Sequence, residues 1–141
     1  MRYLIMLICL SLSSFAFGQK TDTVDTKIVF SVDRLPEFKG GSATWQQFLS
    51  RTIDLNRTLE EMDSTQYVDF GVRQTAILEF TVCEDGLVCD IKVLNKDKIS
   101  PAFAAEAVRV MKKSPKWQPA IKDNKPVRTR FRQNIVAVLE E

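Results

Sequence analysis

The residues of this 141-residue chain that could do chemistry are three cysteines, scattered carboxylates and a row of arginines; it contains no histidine. Without an imidazole, the commonest general base, the usual triad member and a usual zinc ligand are missing together. Glu60, Glu61, Asp63 and Asp69 lack the alternating oxygen spacing of a calcium loop and read as a solvated acidic loop. Gly40-Gly41 is too short to cradle a phosphate, and the Ser42 that follows reads as the N-cap of a helix carrying Trp45. Cys83 has neither a CxxC neighbour nor a histidine to activate it. The expectation is a protein that is not an enzyme and holds no cofactor or metal.

What remains is recognition. Arg128, Arg130 and Arg132 alternate along residues 127–139, with Asn134 and Val136 continuing the same face. On an edge strand such charges either guard against edge-to-edge aggregation or frame an edge kept open for an added strand, and both readings stand. The formal net charge is only +2, which argues against nucleic acid as a partner, although bases dominate from residue 91 to 132 and acids before that.

Three strands position these residues. Alternation puts Ala76, Leu78, Phe80 and Val82 on one face of a first strand, and Leu87, Cys89, Ile91 and Val93 on one face of a second. Val127, Phe131, Ile135, Ala137 and Leu139 share a face of the third. Asp85-Gly86 is a two-residue hairpin signal that pairs Val82 with Cys89, Phe80 with Ile91 and Leu78 with Val93, so the expected register points Cys83 and Cys89 to opposite faces and makes Cys89 a core thiol. A three-residue loop would instead bring both cysteines to one face, where a disulfide could form.

The stretch SPAFAAEAVRVMKKSPKWQPA predicts an amphipathic helix capped by Ser100, with Pro101 in its first turn. Phe103, Ala104, Ala107, Val108, Val110 and Met111 lie on its core side, with Glu106, Arg109 and Lys112 opposite. Ser114-Pro115 ends it, and Trp117, between two prolines, is held extended over a core edge. With an earlier helix at Trp45, Phe48 and Leu49 and an N-terminal strand at residues 28–32, the elements predict an α+β fold: a small antiparallel sheet with two helices on one face. Residues 1–18 read as an export signal cleaved near Gly18, with an apolar run shorter than the ~20 residues a spanning helix needs. Residues 19–27 read as a polar lead-in to a single domain over 28–141, so the mature chain is expected to be exported without a membrane span.

The order of PEFKGG, the Trp45 helix, the Asp85-Gly86 turn, the helix from Pro101, KSPKWQPA and NKPV resembles the C-terminal domain of the TonB energy-transducer family, in a standalone, signal-bearing form. Two departures are visible: residues 56–67 replace the Tyr-Pro pair usual after the first helix, and Gln74 stands where a glycine is usual. The resemblance implies an α+β domain whose last strand pairs with a short segment of an outer-membrane receptor, and so a partner site at Arg128, Arg130, Arg132, Asn134 and Val136. The leading expectation is a periplasmic module that recognises an outer-membrane TonB-dependent receptor or other envelope protein by strand addition, auxiliary to transport. The alternatives are an anchored transducer with its N-terminal segment uncleaved, and a homodimer formed through the edge strand.

Overall fold

The computed structural model describes residues 28–140, so the expected export signal and lead-in lie outside the described residues. The helices are α1 (Gly41–Thr52), α2 (Leu55–Glu61), α3 (Ser64–Phe70) and α4 (Pro101–Lys112). The strands are β1 (Arg73–Val82), β2 (Val88–Val93), β3 (Ala120–Lys122), β4 (Lys125–Val127) and β5 (Thr129–Val138). β1 is the centre of an antiparallel sheet of order β2-β1-β5, and β3 and β4 form a separate two-stranded hairpin. The expected α+β class and three-stranded sheet are both present.

One face of the sheet carries the core. Ala76, Leu78, Phe80 and Val82 of β1 and Ile135 and Ala137 of β5 are buried there under Phe103, Ala107, Val110 and Met111 of α4. Trp45 and Leu49 of α1 join the same cluster. Each such large side chain stabilises the fold by roughly 1.5–3 kcal/mol on burial. α4 starts as its sequence requires, with Ser100 Oγ accepting from Phe103 N–H at 3.2 Å and Pro101 in the first turn. Gln74 has a structural role in place of the usual glycine: buried, it accepts from Ser100 N–H and Oγ–H at 2.8 and 2.9 Å and donates to Gly71 C=O. It thereby ties the start of β1 to the start of α4.

Several local expectations are corrected. Residues 28–32 form no strand; isolated bridges come only after them, at Arg34 to Ile121 and Glu37 to Gln118. Pro36 between those two positions has no N–H to continue a ladder. Ser42 is not the N-cap of α1, because the glycine at 40 takes that position with φ +94° and the helix starts two residues earlier than expected. The expected acidic loop is two short helices, whose first turns are capped by Asp54 (accepting from Arg57 N–H) and Asp63 (accepting from Gln66 N–H). Glu106 faces the junction of α1 and α2 rather than solvent, and the expected strand over 127–139 breaks at Arg128, where β4 gives way to β5.

The largest correction is at the hairpin. The loop holds three residues: Gly86 N–H donates to Cys83 C=O at 2.9 Å and Cys83 N–H to Leu87 C=O at 2.9 Å. Gly86 is left-handed (φ +85°) and Asp85 is not; the Asp85 carboxylate accepts from Leu87 N–H. Val82 therefore faces Val88 and Thr81 faces Cys89, so Leu87 and Cys89 leave the core face. An extra residue between Cys89 and Lys92, with Asp90 at φ +52°, then restores the expected pairing of Leu78 with Val93.

Candidate partner-binding edge

β5 pairs with β1 through ten consecutive partners, from Arg73 opposite Val138 to Val82 opposite Thr129. Just beyond them Leu139 N–H donates to Val72 C=O at 2.7 Å, which fixes the phase of the ladder. In an antiparallel pair the backbone groups of alternate residues turn toward and away from the neighbour. The odd-numbered residues of β5 therefore bond to β1, and the N–H and C=O groups of Arg130, Arg132, Asn134, Val136 and Val138 point outward. Among the described residues no strand pairs with that edge. Only its start is occupied, where Val29 N–H donates to Arg128 C=O at 2.8 Å and Thr129 Oγ–H donates to Val29 C=O at 2.7 Å.

The side chains divide the edge along its length. Arg130 and Arg132 both reach one carboxylate, Glu79 on β1, at 3.8 and 3.0 Å. Arg128 lies before β5 rather than on it and pairs with Glu84 at 3.5 Å. The arginine row is thus a set of cross-strand ion pairs with one positive charge in excess, and it offers less bare charge than three arginines alone. Asn134 is exposed, and Val136, at 47% exposure, ends the strip with Val138 as an apolar patch. The structure brings Arg130, Arg132, Asn134 and Val136 onto one strip and leaves Arg128 at its margin.

On the core side of the edge, Phe131 and Gln133 border a cleft of about 340 Å³ with Pro36, Phe38, Trp45 and Trp117. The elbow places Trp117 as its prolines imply: it is 4% exposed, its Nε1–H donates to Ser114 Oγ at 2.8 Å, and its ring centroid lies 5.2 to 5.9 Å from those of Phe38, Trp45, Phe80 and Phe131. Such edge-to-face contacts hold the wall of the cleft rigid. Trp45 Nε1 is buried in that wall without a hydrogen-bond partner among the described residues. Sequence reasoning missed Glu79, Glu84 and this cleft. Glu79 could be placed on the outer face of β1 by alternation, but its pairing with Arg132 follows only from the β1–β5 register.

A second polar cluster supports the scaffold. Glu106, 5% exposed, pairs with Arg109, accepts from Asp54 N–H at 2.7 Å, and Arg109 in turn donates to Thr52 C=O at 2.6 Å. Burial pushes the Glu106 carboxyl upward, but the Arg109 guanidinium and the Asp54 N–H outweigh it and hold the group below the usual glutamate range. This cluster joins α4 to the α1–α2 junction.

Residues 71–136 match the family described as the Gram-negative bacterial TonB protein C-terminal, a span from just before β1 to near the end of β5. No curated protein matches the chain. The PEFKGG segment and α1 precede the matched residues. That family is a non-enzymatic interaction and transduction module of the Gram-negative periplasm, and no helix among the described residues is long and apolar enough to cross a membrane. The sheet order, the helix with its Pro/Trp elbow and the matched span agree, and together they support a TonB C-terminal domain over residues 71–136.

Proposed function

We propose that this chain is an exported binding module whose β5 edge receives an extended segment of an outer-membrane receptor or another envelope protein as a fourth strand. The observation that carries the reading is the row of outward backbone groups from Arg130 to Val138 on an otherwise regular strand. Main-chain hydrogen bonds would supply affinity, the basic start and apolar end of the strip would set direction and register, and alternate side chains of the guest would lie over the aromatic cleft. Asn134→Pro removes one outward N–H and should weaken binding of peptides from receptor N-termini at least tenfold while the fold still melts cooperatively. Unchanged affinity in that variant would place the partner elsewhere. Dimers that form at high concentration and dissolve when the peptide is added would instead mean the edge pairs with its own copy. Export rests on residues 1–18, and N-terminal sequencing of the protein recovered from cells should start at Gln19; an intact Met1 would favour an anchored transducer.

A further inference from the structure

We propose that Cys83 and Cys89 are a dithiol that closes into a disulfide across the tip of the β1–β2 hairpin, with small-molecule disulfides as its oxidant class. The three-residue loop puts both residues on the outer face of the sheet, Cys83 opposite Leu87 and Cys89 opposite Thr81. Their sulfurs lie 2.9 Å apart, less than about 1 Å beyond the ~2.05 Å of a covalent S–S bond. A slip of one residue at this end of the hairpin would turn Cys89 into the core and separate the pair. The loop and the Asp90 bulge together are what hold the two thiols side by side while Val93 stays in the core.

The pair is also reachable. Both sulfur-bearing residues line a cleft of about 800 Å³ with Val29, Val88, Pro126 and Arg128, and Cys89 is half-buried where Cys83 is buried. Burial, with the adjacent Cys89 thiol, pushes Cys83 up to about 12, against the pull of the Arg128 guanidinium, so Cys83 keeps its proton until late. Cys89 is then the first to react. Its thiolate attacks one sulfur of RS–SR and expels RS⁻, leaving a mixed disulfide on Cys89. Cys83 Sγ next attacks Cys89 Sγ, the second RS⁻ leaves, and the thiol protons end on the two departing groups. Two protein thiols and one RS–SR thus become one protein disulfide and two RSH, with two electrons passing to the reagent. The ring so formed encloses Gly86, whose C=O accepts from Trp117 N–H at 2.9 Å, so closure staples the hairpin tip against the elbow.

The test uses the full chain treated with oxidised glutathione or with a reductant. Trypsin releases residues 74–92 as one peptide, which holds both cysteines and excludes Cys9. After oxidation this peptide should weigh two hydrogens less and take up no alkylating reagent; cleavage at Asp85 should leave its halves joined until reductant is added. Cys83→Ser should retain a glutathione adduct on Cys89, because nothing is left to resolve it. The oxidised chain should melt about 5–15 °C above the reduced one. Two alkyl groups or two glutathione adducts on the wild-type peptide after oxidation would overturn the disulfide, and equal melting temperatures would overturn the staple.

Discussion

β1 makes two very different pairings. With β5 it keeps one register through ten consecutive partners; with β2 the register holds at Leu78–Val93 and Glu79–Lys92 and then shifts by one before the loop. The cause lies in what each neighbour must satisfy. β5 meets the core at alternate positions through Phe131, Ile135 and Ala137, so any slip would turn these toward water. β2 has two demands that are out of phase. The three-residue loop seats Gly86 under Trp117 and sends Val88 inward, while packing under α4 needs Val93 inward, an odd number of residues away. A bulge at Asp90 reconciles them. The regular pairing leaves an edge that another strand can extend, whereas the bulged one bends and blunts the opposite edge.

The strongest way to break the regular pairing is to remove it. A chain ending at Arg130 lacks Phe131, Ile135, Ala137 and Leu139 and should lose its cooperative melt altogether; calorimetry retaining a transition would show that β5 is dispensable. Trp117→Ala acts on both sides of the comparison, since the ring touches Phe80 and Phe131 while its backbone holds Gly86. Denaturant unfolding should register a loss of about 3–5 kcal/mol, and a loss below ~1 kcal/mol would mean the elbow is not part of the core.

Gly86→Ala separates the two pairings. An added Cβ would stand 2.1 Å from Trp117 C=O, a backbone atom that cannot rotate away, at a φ of +85° that suits glycine. The expected loss is about 2–4 kcal/mol by overpacking and left-handed strain, with hydrogen exchange accelerated in β2 more than in β5. Equal acceleration in both strands would mean the hairpin tip and β5 open as one unit.

Glu106→Gln touches neither pairing and serves as their control. A glutamate held below its usual range stabilises the fold fully above about pH 4.3, the unfolded value, and loses that contribution as pH falls through the lower folded value. Wild type should therefore lose stability in acid faster than the variant, which should be about 1–2 kcal/mol weaker at neutral pH; parallel acid titrations would remove Glu106 as the cause. The smallest effect belongs to the edge itself. Arg132→Gln breaks an exposed pair with Glu79 and should change stability by less than ~0.5 kcal/mol. It should nevertheless slow peptide association and flatten its salt dependence, and an unchanged rate would mark the arginines as guards of an unused edge.

The amino-acid order alone determined the α+β class, the core faces of β1 and β5, the capped helix from Pro101 and the buried Trp117, because each rests on local periodicity or on backbone restrictions carried by single residues such as Ser100 and Pro115. The helices after Asp54 and Asp63 were signalled by their caps, yet seven residues are too few for periodicity to identify a helix that only packing sustains. Tertiary structure decided the rest. Asp85-Gly86 suits a two- or a three-residue loop, and the docking of Gly86 beneath Trp117 selects the longer one and, with it, the common face of Cys83 and Cys89. Likewise Arg130 and Arg132 could be assigned to an outer face by alternation, but Glu79 becomes their partner only when two strands about fifty residues apart settle into one register, which the core beneath them dictates.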